Sequence, residues 1–332
     1  MRQNPLCLFN WHQPAAEIFV PDDKPLVAAL NRITHLGIGA HPDDLEFMAF
    51  HGIVSCHASR TIWFGGVTCT DGSGSARAGK FKKFSDAEMT AVRRQEQNKA
   101  AKIGHYGVMI QLAHPSRTVK NPSDLMLQED LEKILTATRP EYVYTHNPAD
   151  KHDTHVGVVI AAIQAMRILP RSQRPKRVFG CEVWRGLDWL ADDAKVSLDV
   201  SGHDRLAAKL NGAFASQIAG GKRYDLATLG RRAANATFLK PHTTDTAAQF
   251  IFGMDLTPLV IDETKDIIDY VSGFIEEFRD DVKAKLKRRL GGRRLWNQRN
   301  WTLNTCRSPR AGRAACALIL LPARRRVRRR PR

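Results

Sequence analysis

Two short clusters in this 332-residue chain hold the side-chain types that bind a divalent cation and move protons. The first is Ala40-His41-Pro42-Asp43-Asp44. The second is His146-Asn147-Pro148-Ala149-Asp150-Lys151-His152-Asp153-Thr154-His155. A histidine and a carboxylate spaced i, i+3 at a strand-to-helix turn can converge on one ion. Pro42 stiffens that turn and disfavours helical backbone at His41. Two histidines and one carboxylate with an open position are what a catalytic zinc requires. Such an ion lowers the pKa of water to about 7, and a second carboxylate beside a ligand can take the water's proton. Adjacent Asp43 and Asp44 therefore suit two different roles. Either cluster alone reads more simply as a turn or a solvated loop; together they point to one site.

The elements around the clusters must bring them together. Residues 33–40 form a short apolar, glycine-containing run that reads as a buried strand. Asp43 and Asp44 then stand where a helix N-cap belongs, ahead of Leu45, Met48, Ala49 and Ile53 at helical spacing. The pattern repeats: strand 61–70, a Gly/Ser-rich loop 71–79, helix 87–103, strand 108–112, helix 124–138, strand 141–145, a polar loop, helix 156–168 and strand 178–184. Alternating strands and helices imply a parallel sheet with right-handed crossovers. After about residue 202 strand signals thin out and helices follow, ending with 262–290. The fold class is thus α/β and Rossmann-like: a mostly parallel sheet of five or more strands flanked by helices, with a helical C-terminal part. In such sheets sites lie beyond the carboxyl ends of strands, where strand order reverses. If the first and fourth strands of this series are neighbours, the two clusters face each other.

These residues resemble the PIG-L/LmbE-type zinc deacetylases, which remove acetyl groups from N-acetylglucosamine conjugates. The resemblance rests on A-H-P-D-D at 40–44 and the histidine-rich segment at 146–155, with support from Thr70-Asp71-Gly72 and from Arg93 with Glu96, and spans residues 31–255. It implies His41, Asp44 and His155 as metal ligands, Asp43 as general base, and His152 as the group that assists the oxyanion or protonates the leaving amine. It also implies substrate contacts for Arg93, for which an ion pair is an equal alternative, and for Asp71, which could equally form a turn before Gly72. The family commonly shows H-P-D-H before the helix, whereas this chain has His152-Asp153-Thr154-His155. The partner that orients the ligand histidine would then be Asp150 or Asp153. The implied activity is hydrolysis of an N-acetyl group from a small N-acetylglucosamine-type conjugate, releasing acetate and a free amine. The implied cofactor is Zn²⁺, with Fe²⁺ able to replace it at a His₂-Asp site.

Composition narrows the alternatives. The formal charge of +17 is unevenly placed: residues 291–332 hold 13 Arg and no Lys, Asp or Glu, and the remaining 38 basic residues face all 34 acidic ones. The body is therefore not built to bind polyanions. Three segments follow: a lead at 1–30, one deacetylase domain at 31–290, and an Arg-rich tail at 291–332 that reads as disordered. The competing reading is a metal-free binding protein on the same fold, with nucleic acid engaged only through that tail. Six scattered cysteines without a C-x-x-C pair fit a reduced, cytoplasmic protein. No apolar run reaches membrane-spanning length, and whether copies form a homo-oligomer is left open. Gly74 to Lys80 approaches a phosphate-binding loop, but Phe81 stands where Ser or Thr should. Gly37-Ile38-Gly39 begins a dinucleotide fingerprint that Pro42 ends. Trp184 and Trp189 could stack on a sugar, with core packing the simpler reading.

Overall fold

The run Ile33–Gly39 can form a strand covered on both faces because its alternate residues differ in size. Leu36 and Ile38 are fully buried in one core layer, while Gly37 and Gly39 point to the other. A Cβ on Gly39 would stand 3.1 Å from Asp44 Cβ and one on Gly37 2.7 Å from Phe64 Cζ, so glycine here lets the following helix lie against the strand.

A computed structural model describes residues 9–291. Its strands are β1 (Glu17–Phe19), β2 (Ile33–Gly39), β3 (Trp63–Thr70), β4 (Val108–His114), β5 (Tyr142–His146), β6 (Arg177–Cys181), β7 (Lys195–Asp199) and β8 (Phe250–Asp255). Its helices are α1 (Leu26–Asn31), α2 (Asp44–Met48), α3 (Phe50–His57), α4 (Asp86–Ile103), α5 (Ser116–Val119), α6 (Met126–Thr138), α7 (Asp153–Ile168), α8 (Asp204–Asn211), α9 (Ala215–Ala219), α10 (Tyr224–Thr237), α11 (Thr257–Ile261) and α12 (Ile267–Leu290). Contacts divide the chain into Met1–Lys285 and Leu286–Arg332. Of the second unit, the described residues are the end of α12 and Gly291. The Arg-rich tail read as disordered lies, from residue 292 on, outside the described residues. No helix among the described residues is long and apolar enough to cross a membrane.

The strands form one eight-stranded sheet in the order β1-β4-β3-β2-β5-β6-β8-β7. The middle five are parallel, as the alternating pattern implies. Strands β1, β8 and β7 add antiparallel edges. One core layer joins the sheet to α6, α7 and α11 through residues such as Leu131, Ile163 and Leu259. The other joins it to α2, α3, α4 and α8 through Met48, Ile53, Ala100 and Leu210.

The chain runs outward from β2 to β3 and β4, then returns to β5 on the other side of β2. This reversal is the switch point at which ligands bind in open α/β sheets. Leu36 pairs with Val143 and Gly37 with Tyr144, so the carboxyl ends of β2 and β5 lie side by side and the two clusters meet.

The segment before β2 is fastened to this body. Glu17–Phe19 pairs with Met109–Gln111, and the His12 ring contacts Asp130 at 2.9 Å. Asp130, with no exposed side-chain surface, also meets His114 Nε2 at 3.0 Å and Lys133 Nζ at 2.9 Å. Burial alone would raise the Asp130 carboxyl, but His114, Lys133 and His12 bring it down to about 2. A carboxyl depressed on folding stabilises the fold above its unfolded pKa of about 4, and that contribution is lost as pH falls through the folded value. Between about pH 4 and pH 2 the wild type should therefore lose on the order of 1–2 kcal/mol that Asp130→Asn never has. Urea unfolding of both proteins across that range checks this; parallel pH profiles would contradict it.

Candidate active site

His41 lies just past β2, on the turn into α2. The turn is tight: the His41 N–H donates to Asp44 Oδ2 at 2.7 Å, and the Asp44 N–H to the His41 carbonyl at 3.2 Å. Asp43, between them, has φ 96° and ψ −27°. A non-glycine residue in that region costs about 1–3 kcal/mol and persists only where its surroundings hold it. The acidic pair does not cap α2 through its side chains; the Asp44 carboxylate turns toward the second cluster and that of Asp43 toward Arg93. There His152 is the extended N-cap residue of α7 and His155 sits in its first turn. His146 ends β5.

Three donor atoms meet with nearly equal spacing. His41 Nδ1 is 3.2 Å from Asp44 Oδ2, His155 Nε2 is 3.2 Å from His41 Nδ1, and His155 Nε2 is 3.4 Å from Asp44 Oδ2. Four ligands placed tetrahedrally at about 2.0–2.1 Å from zinc are about 3.3–3.4 Å apart, so the triangle has the edge length that such an ion needs. The side chains of Asp44 and His155 are 4% and 0% exposed, that of His41 26%, which leaves one side open to the pocket.

Other histidines crowd this centre. Asp44, His146 and His155 form a second grouping of ligand-type atoms, and His41, His152 and His155 a third. His146 Nε2 stands 2.9 Å from the Ala40 N–H and accepts it, so its lone pair is engaged. Its ring stacks on His155 at 3.8 Å. His146 thus supports His155 from beneath, a part that its place at the end of β5 signals only once the strand order is known. His152 lies against both His41 and His155, with ring centroids at 4.9 and 4.6 Å, and lines the pocket.

Electrostatics separate the two aspartates. Burial would raise both. At Asp44 the surrounding imidazoles, His155 foremost and then His146 and His41, overcome it and hold the carboxyl well below the usual range. At Asp43 burial prevails, against the Arg93 charge, and the carboxyl rises to about 6. The His155 imidazole is raised despite burial by Asp44 and Asp150, and burial lowers His146 to about 4.

Asp150, not Asp153, faces His155. Its Oδ2 is 3.5 Å from His155 Nδ1 and accepts the Trp184 N–H at 3.2 Å, while its Oδ1 accepts the His152 N–H at 3.0 Å. Asp153 is exposed, on the first turn of α7 where a negative charge suits the helix dipole. Thr154 is buried against Ser116, hydroxyl to hydroxyl at 2.7 Å.

Arg93 is 1% exposed, and its Nη atoms are bonded to the protein while its Nε has no partner among the described residues. It donates to Asp43 Oδ2 at 2.6 Å, to the Pro42 carbonyl and to Glu96 Oε2 at 2.8 Å, a buried ion-pair cluster that also lines the pocket. Gln97 Oε1 accepts the Asp43 N–H at 3.1 Å, and Gln97 Nε2 donates to Glu46 Oε1, which also accepts the Tyr106 hydroxyl. These bonds hold the left-handed Asp43. Asp71 forms the turn, its Oδ1 accepting the Ser73 N–H at 3.0 Å, and it lines the pocket.

The pocket has a volume of about 790 Å³. Its far wall, with Trp184, Lys222 and Tyr224, comes from segments with no motif spacing to either cluster. Tyr224 packs on Phe47 at 5.0 Å, and burial together with the charges of Asp43 and Asp44 raises its phenol. Trp184 lines the pocket, whereas Trp189 packs against the core.

Comparison with known proteins agrees with the motifs. Residues 36–166 match the family described as PIG-L: GlcNAc-PI de-N-acetylase, the family that both clusters resemble. No curated protein matches the chain. Among solved structures, the N,N'-diacetylchitobiose deacetylase from Pyrococcus horikoshii, complexed with its inhibitor MPG, is similar at TM-score 0.53 and 18% identity, over 71% of this chain and 89% of that one. The conserved protein TT1542 from Thermus thermophilus is similar at 0.51 and 18%, over 70% and 98%. GalB, the 4-carboxy-2-hydroxymuconate hydratase from Pseudomonas putida, is similar at 0.49 and 17%, over 68% and 95%. At such identities the two likenesses above a TM-score of 0.5 show the fold alone, and the reaction must be argued from the site.

Removing Arg93 would leave Asp43 and Glu96 buried without their counter-charge. Arg93→Ala should lower stability by about 3–5 kcal/mol in chemical denaturation. Unchanged stability with a weaker hold on substrate would return Arg93 to a substrate contact.

Proposed function

We propose that this protein is a metal-dependent N-deacetylase that hydrolyses the acetamide of a small N-acetylglucosamine-type conjugate. The observation that carries this reading is the triangle of His41 Nδ1, Asp44 Oδ2 and His155 Nε2 with the second, unliganded carboxylate of Asp43 beside it. The match of residues 36–166 to a de-N-acetylase family supports it.

His41, Asp44 and His155 would hold the ion. The donor set suits Zn²⁺ and also accommodates Fe²⁺. Once bound, such an ion supplies Lewis acidity toward a carbonyl oxygen and a water of lowered pKa. Asp150 orients His155 through Nδ1, as an outer carboxylate commonly does for a ligand histidine.

Asp43 acts as general base. Held by Arg93 and Gln97, it takes a proton from the water that attacks the acetyl carbon. His152, half-buried at the pocket edge of the histidine group, stabilises the oxyanion that develops and passes a proton to the departing nitrogen, the proton that Asp43 took from the water replacing it. The carbon–nitrogen bond breaks, and acetate and a free amine leave. In this reading Asp71, which lines the pocket, contacts hydroxyls of the sugar.

Acetate release from N-acetylglucosamine conjugates by zinc-loaded protein tests this reading. Asp43→Asn should keep the metal and lose about 10²–10⁴-fold in kcat; His155→Ala should lose the metal. A wild type that binds no zinc when correctly folded would overturn the reading.

A further inference from the structure

The order of groups across the pocket assigns a place to the part of the substrate that the nitrogen carries. His152 stands between the candidate metal centre and Trp184. Its ring lies 4.9 Å from His41 and 4.6 Å from His155, and 6.4 Å from Trp184, so it contacts both groups. In amide hydrolysis the acyl carbon sits at the centre that polarises it, and the proton donor meets the nitrogen. Whatever the nitrogen bears must then extend past the donor.

What lies past His152 is an aromatic corner. The Trp184 ring is half-buried, lines the pocket and is inclined by only 28° to the His152 ring. Tyr224 meets it edge-on at 6.3 Å and 84°, making a wall at right angles to that floor. The Lys222 ammonium stands 5.2 Å from the Trp184 centroid and has no ion-pair partner among the described residues. The corner is built rather than loose. The Trp184 N–H is held by Asp150, the carboxylate that also faces His155 and accepts the His152 N–H. Arg231 holds the neighbouring Val183 carbonyl, and Glu182 accepts the Leu187 N–H at 3.3 Å. One carboxylate thus holds the backbone at both His152 and Trp184 and faces the His155 ring.

We propose that Trp184 is the platform for the saturated, hydroxylated ring borne by the departing nitrogen, with Lys222 donating to its hydroxyl oxygens. The C–H face of a pyranose is weakly positive and apolar, and it stacks on the negative face of an indole; Tyr224 closes one edge. A ring placed there leaves its acetamide directed back past His152 to the three-atom triangle. Trp184 is then a specificity-determining residue: it favours amides of cyclic amino sugars over open-chain acetamides. This rests on the deacetylase reading above.

Two measurements test it. Zinc-loaded wild type and Trp184→Ala are compared on N-acetylglucosamine and on the ringless N-acetylethanolamine. Wild type should prefer the sugar, and Trp184→Ala should lose about 10-fold or more in kcat/KM on the sugar alone, with zinc content unchanged and Trp184→Phe restoring part of it. Equal losses on both amides, or none, would overturn the proposal while leaving the deacetylase reading in place. The second measurement needs no turnover: in saturation-transfer NMR with glucosamine, the ring protons should be saturated by the wild type and not by Trp184→Ala. Equal saturation by the two proteins would overturn the platform even if no acetamide is hydrolysed, an outcome that by itself counts against the deacetylase reading.

Discussion

One oxygen atom organises the centre of this molecule. Asp44 Oδ2 accepts the His41 N–H at 2.7 Å and stands within 3.2–3.4 Å of ring nitrogens of His41, His146 and His155. Those histidines come from the ends of β2 and β5 and from the first turn of α7. A buried carboxylate is costly unless its charge is met, so the switch point between β2 and β5, the glycines that let α2 approach and the fastening of α7 all serve one convergence. Two of the three imidazoles complete with this oxygen the triangle proposed for a cation, and the third is bonded to the Ala40 N–H.

Around this centre the protein stores strain and offsets it with buried polar bonds. Asp43 takes a left-handed backbone that few side chains tolerate. Its N–H, its carboxylate and the preceding carbonyl each have a buried partner on α4, in Gln97 or Arg93. Glu46 and Tyr106 fix the orientation of the Gln97 amide. Burial pushes the Glu46 carboxyl up to about 8, and one of its oxygens has no partner. Such a network is unfavourable as mere packing and intelligible as the support of a carboxylate that must stay in one place.

Much of this was legible in the sequence because the parallel strands carry local signals. The five parallel strands are short apolar runs separated by helices of clear periodicity, and both polar clusters sit at their carboxyl ends. The antiparallel strands were not visible. Phe250–Asp255 is a continuous apolar run that periodicity alone does not distinguish from a buried helix, and its pairing with Cys181 and Val196 is remote in sequence. Arg93 was legible as a member of the site but not as the partner of Asp43, since nothing in the spacing shows α4 crossing that turn. His146 stood in the quoted cluster, yet only its position at the end of β5 separates it from the other histidines. Trp184 was visible only as one of two aromatics past a strand, and Tyr224 not at all, because the loop and helix that carry them are brought to the pocket by tertiary packing.

The central claim is that His41, Asp44 and His155 form a single metal centre. Anomalous X-ray diffraction at the zinc absorption edge, from crystals of the zinc-loaded protein, tests it most directly. The account predicts one strong peak within bonding distance of His41 Nδ1, Asp44 Oδ2 and His155 Nε2, with His146 Nε2 still bonded to the Ala40 N–H. A peak held by His146 in place of His41, or fully loaded crystals with no peak among these three atoms, would contradict it.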